Sequence, residues 1–163
     1  MSSEGGKRPT LLFRALPKQP LISVLDRREL KNFADLLAKN VADASGFTCL
    51  FTGDSELQRL NRSFLGNDYP TDVLSFPAPQ NANGIGEMAI SIDRAKAQAD
   101  EFGHSCLDEI RILMLHGLLH LTGHDHERDK GEMARAERKW RLSFGLPATL
   151  IARSRTNRGA AKR

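Results

Sequence analysis

Between residues 26 and 44 the apolar side chains Leu30, Phe33, Leu36, Leu37 and Val41 recur three or four apart. That spacing predicts an amphipathic helix with Asp26 as its N-cap and a break at Gly46. Short apolar and aromatic runs at 47–51 (FTCLF), 71–76 (TDVLSF) and 88–92 (MAISI) predict strands, and 10–15 can add a short edge strand. Asp54 or Ser55 caps a helix running to Phe64 and ending at Gly66. Asp93 opens a polar helix to Glu101, a more apolar helix spans 107–121, and a last one runs from about 129 to 144. The stretch 77–86, rich in Pro, Asn and Gly, joins two of the strands as a loop. Strands in the first half and helices in the second predict an α+β fold, a mixed sheet covered by helices.

The length of 163 residues fits a single domain. Residues 1–20 carry Gly5, Gly6, Pro9, Pro17 and Pro20 and read as a flexible opening segment; 21–150 form the folded domain. Five of the 24 basic residues (Arg153, Arg155, Arg158, Lys162 and Arg163) fall in 151–163, read as a disordered, solvated tail. With 40% hydrophobic and 27% charged residues the composition is that of a globular protein, which excludes collagen-like and largely disordered classes. No apolar run approaches the roughly 18–20 residues of a membrane span. The opening residues MSSEGGKRPTLLF lack the pattern of an export signal. Cys49 and Cys106 are therefore expected as reduced thiols in a cytoplasmic chain. The net charge of +4 favours an anionic partner but names no function.

Chemistry concentrates in residues 116–126, HGLLHLTGHDH, which hold four of the five histidines. His116 and His120 are four apart, so on a helix they share one face. Gly123 can turn the chain back and bring His126 to the same ion. Three imidazoles leave one tetrahedral position open, the pattern of a catalytic rather than a closed structural zinc site. One Zn²⁺ ion is expected, with nickel and copper as open alternatives. The spacing matches the metzincin histidines, but Gly117 stands where that family has its general-base glutamate, which argues against a peptidase.

HGLLHLTGHDH resembles the signature of the YbeY family, the metal-dependent endoribonucleases of ribosomal RNA maturation. LNRSFLGNDYPTDVLSFP (60–77) and GEMAIS (86–91) are similar to two further blocks of that family, and the resemblance runs from about 47 to 145. It implies a single-domain α/β/α sandwich with a mixed, mainly four-stranded sheet and a helical metal-binding segment. It also implies a cytoplasmic enzyme that cuts single-stranded RNA, matures the 3′ end of 16S rRNA and serves ribosome quality control. Single-stranded RNA, rRNA and the ribosome or its proteins are the implied partners, with neither membrane nor DNA. Carried over residue by residue, the metal ligands are His116, His120 and His126.

The chain departs from the family at three places. Leu65 stands where the family places an active-site arginine, Glu87 where it has aspartate, and His124 where an aromatic residue is usual. Arg62, with Arg59, Arg94 and Lys96, is a candidate phosphate contact. Asp125 either orients a ligating imidazole or caps the turn after Gly123, and Asp72 reads as a loop-fixing group. Two alternatives differ in class: a metal-binding, ribosome-associated factor with little catalysis, and a metallohydrolase acting on a non-RNA substrate.

Overall fold

The computed structural model describes residues 8–79, 82–125 and 128–147. In chain order its elements are β1 (Thr10–Phe13), α1 (Val24–Asn40), β2 (Thr48–Thr52), α2 (Asp54–Leu65), β3 (Val73–Pro77), β4 (Gly86–Ser91), α3 (Ile92–Phe102), α4 (Cys106–Leu121) and α5 (Glu132–Phe144). The sheet order is β1-β2-β4-β3. β1, β2 and β4 run parallel and β3 is antiparallel on the edge, with Phe51 opposite Ile90 and Val73 opposite Ile90 from the other side.

Strand alternation sends side chains to two different cores. Cys49, Phe51, Met88 and Ile90 face α1 and α4, joined by Leu30, Leu37, Leu113 and Leu118. Leu50, Leu74 and Ala89 face the other way and pack on Leu57 and Leu60 of α2. The result is an α+β sandwich around a mixed four-stranded sheet. Past its first turns α4 is apolar on most sides because the sheet and other helices enclose it: Ile110, Ile112, Leu113, Met114, Leu115, Leu118 and Leu119 are all buried.

Several helix starts differ from those the sequence predicts, each for a local reason. The N-cap of α1 is Ser23, not Asp26. Ser23 Oγ accepts from the Asp26 N–H at 3.0 Å and Asp26 Oδ2 accepts from the Ser23 N–H at 2.9 Å, a reciprocal capping box. The Ser91 and Ser105 hydroxyls cap α3 and α4 by accepting from the N–H groups of Arg94 and Asp108. α2 starts after Gly53, which has no capping side chain; the Asp93 carboxylate of α3 takes the Asp54 N–H at 2.8 Å instead. α5 starts at Glu132 rather than near 129. Asp129 lies ahead of it and accepts from the N–H groups of Gly131 and Met133, both at 2.8 Å.

Residues 1–7 of the opening segment and the basic tail 151–163 lie outside the described residues. Among the described residues no helix is long and apolar enough to cross a membrane.

Candidate functional site

The site is built on the last two turns of α4. The four-residue spacing stacks His116 and His120 on one face, their rings edge to face with centroids 4.8 Å apart. Their Nε2 atoms approach to 3.2 Å. His116 is buried at 8% exposure, and its Nδ1 lies 2.5 Å from Oε2 of Glu137 on α5. His120 Nδ1 lies 3.1 Å from the carbonyl oxygen of His124.

This pattern assigns the protons. A carbonyl only accepts, so His120 carries its hydrogen on Nδ1. The Glu137 carboxylate likewise takes the Nδ1 hydrogen of His116. In the neutral rings both Nε2 atoms then carry lone pairs, and these converge. Two lone pairs at that distance repel unless a cation, either a proton or a metal ion, stands between them. Two nitrogens on a tetrahedral zinc ion with bonds of about 2.0–2.1 Å stand about 3.3–3.4 Å apart, close to the observed separation.

The chain turns immediately after the pair. Gly123 has φ +102°, a conformation glycine adopts without strain. The N–H groups of Thr122 and Gly123 donate back to the carbonyls of Leu118 and His120. The turn places the His124 carbonyl against His120. His126, the third histidine of the motif, lies outside the described residues. Among the described residues no group of three or more His, Cys, Asp or Glu is disposed to hold a metal ion.

Gly117 has a different neighbourhood from the histidine before it. A Cβ there would sit 3.0 Å from Met88 Sδ, 3.1 Å from Ser75 Oγ and 3.2 Å from Val73 Cγ2. The Ser75 hydroxyl also donates to the Gly117 carbonyl at 3.0 Å. Position 117 therefore faces the sheet at close range, and a general-base glutamate has no room there.

The other candidates are dispersed. Asp125 lies in the turn beyond α4, its carbonyl accepting from the N–H groups of Arg128 and Asp129 at 3.1 Å each. Asp72 is buried, with Oδ1 accepting from the Val73 N–H at 2.8 Å and Oδ2 from Gln98 at 3.1 Å. Arg62 is exposed near the end of α2, the helix on the opposite face of the sheet from α4, and pairs with Asp68 at 3.6 Å. Leu65 is also exposed. Arg59 pairs with Glu56, Arg94 with Asp54 and Lys96 with Asp100. A cavity of about 480 Å³ among Arg8, Thr48, Phe76 and Glu87 contains none of the histidines.

A family model described as Endoribonuclease YbeY matches residues 22–145. The chain belongs to the YbeY family. An Endoribonuclease YbeY from Solibacter usitatus is 53% identical over 153 residues, covering 94% of this chain and 98% of that one. One from Koribacter versatilis is 52% identical over 115 residues, covering 70% of this chain and 75% of its own. The solution structure of TM1509 from Thermotoga maritima superposes with a TM-score of 0.58 at 25% identity, covering 95% of this chain and 99% of that one.

Glu137 is the site neighbour that sequence reasoning missed. Its signal is readable in retrospect. Met133, Glu137, Trp140 and Phe144 follow a 4-3-4 spacing, so a carboxylate stands on the apolar stripe of α5. Such a residue is rarely buried without a partner.

Proposed function

We propose that this chain is a zinc-dependent endoribonuclease that cuts single-stranded RNA. It matures the 3′ end of 16S rRNA and takes part in ribosome quality control in the cytoplasm. The observation that carries the reading is the convergence of the His116 and His120 Nε2 atoms while both Nδ1 atoms are engaged elsewhere. Membership of a family whose relatives are named endoribonucleases supplies the RNA substrate. His116, His120 and His126 hold the ion in this reading, and an all-imidazole donor set suits zinc, with nickel and copper as competitors.

When bound, such an ion supplies Lewis-acid polarisation of water and of a phosphate oxygen. The protein's own residues do the rest. α4 holds the two rings at fixed spacing, and the hydrogen bonds on their Nδ1 atoms turn the Nε2 atoms toward the ion. Gly117 draws α4 down onto β3, which sets the height of the histidines above the sheet. RNA is held through contacts to its phosphates in this reading, so affinity falls steeply with salt.

The test is cleavage of a labelled single-stranded RNA by metal-loaded protein beside His116→Ala and His120→Ala variants purified identically. Cleavage by the wild type alone, with zinc at one ion per chain, supports the reading. Equal cleavage by all three means a contaminating nuclease or a misplaced site. Bound zinc and bound RNA without cleavage would favour the ribosome-associated factor.

A further inference from the structure

Glu137 is a carboxylate at 1% exposure, reached from α5 rather than from the histidine segment. α5 is held down by Met133, which is fully buried, and by Phe144, whose ring meets Phe33 edge to face at 5.4 Å between centroids. The Glu137 oxygen is thus delivered to His116 Nδ1 by a packed helix and not by a mobile side chain. A histidine can bind an ion through Nε2 only when its hydrogen sits on Nδ1, and the carboxylate is the group that keeps it there.

The same chain contains a matched pair for comparison. Glu109, also fully buried, lies 2.6 Å from His104 Nε2, and neither residue belongs to the 116–126 segment. There the carboxylate meets Nε2 rather than Nδ1, so the pair serves as a buried histidine–glutamate contact outside the candidate site.

We propose that Glu137 is a positioning residue: it fixes the tautomer and ring orientation of His116 and so ties the docking of α5 to metal affinity. The inference rests on the metal-site reading above. The test uses the full chain stripped of metal and titrated with Zn²⁺ against a chromophoric chelator, well below the melting temperature. The variants are Glu137→Gln, Glu137→Asp, Glu109→Gln and His120→Ala.

Glu137→Gln is expected to weaken zinc binding about 10- to 100-fold. Glu109→Gln is expected to leave it within about twofold while lowering thermal stability. A Glu137→Gln protein that melts lower but binds zinc like the wild type overturns the positioning role. Partial recovery of affinity by Glu137→Asp relative to Glu137→Gln supports a role for the charge. If His120→Ala binds zinc as tightly as the wild type, the metal reading itself fails, which is a separable result. Should the Glu137 variants not fold, nitrogen NMR of the metal-free wild type decides. A hydrogen on His116 Nδ1 supports the proposal, and one on Nε2 overturns it.

Discussion

Replacing Gly117 by alanine is a one-carbon test of how α4 sits on the sheet. In a free helix the change would stabilise by about 1 kcal/mol, because glycine is the poorer helix former. Here the added methyl meets Met88 Sδ, Ser75 Oγ and Val73 Cγ2 at 3.0–3.2 Å simultaneously. Met88 can flex, but Val73 and Ser75 are short side chains fixed on the β3 backbone. Forcing a methyl into a packed site costs about 1–3 kcal/mol. Pushing α4 away also lengthens the Ser75–Gly117 hydrogen bond, worth about 0.5–1.5 kcal/mol. The net expectation is a loss of about 2 kcal/mol, seen as a fall in melting temperature of about 4–8 °C. Urea denaturation of the metal-free protein measures it directly, and zinc affinity should weaken in parallel because His116 moves with the helix. Gly117→Ala of equal or greater stability would refute the argument that contact with the sheet excludes a side chain here. Gly117→Glu, the substitution that would restore a metzincin-like base, is expected to disrupt folding rather than create a peptidase.

Ser23→Ala removes the capping side chain of α1 and should cost about 1 kcal/mol by denaturant titration; no loss would mean that the box seen around Asp26 is not stabilising. The alkaline limb of stability tests the thiols. Burial pushes Cys106 up to about 11, with Lys96 partly opposing it, and holds the fully buried Cys49 well above the ordinary 9.0. The folded state therefore keeps thiol protons that the unfolded chain loses, and stability present below pH 9 declines as pH rises towards 11. Cys106→Ser should show a shallower decline between pH 8 and 10.5, and identical slopes would contradict the assignment. Leu65→Arg places a cation at an exposed position, so stability should change by less than about 0.5 kcal/mol. If RNA passes that point, the salt dependence of its binding should steepen by about one phosphate contact. An unchanged slope would put Leu65 off the RNA path.

The sequence by itself determined what local spacing can determine. The 3.6-residue period placed α1, apolar runs placed the strands and α4, and the four-residue interval put His116 and His120 on one face. The glycine at 123 marked the turn, because only the following few residues decide whether a helix continues. What local spacing could not reach was any contact between residues far apart in the chain. Asp93 caps α2 from 39 positions away. β4 inserts between β2 and β3, so the strand order differs from the chain order. Glu137 reaches His116 across 21 positions, and the use of Gly117 as a contact with the sheet is invisible until β3 is in place. Periodicity fixes which way a side chain points from its own element. Only the packing of one element on another decides what it then meets.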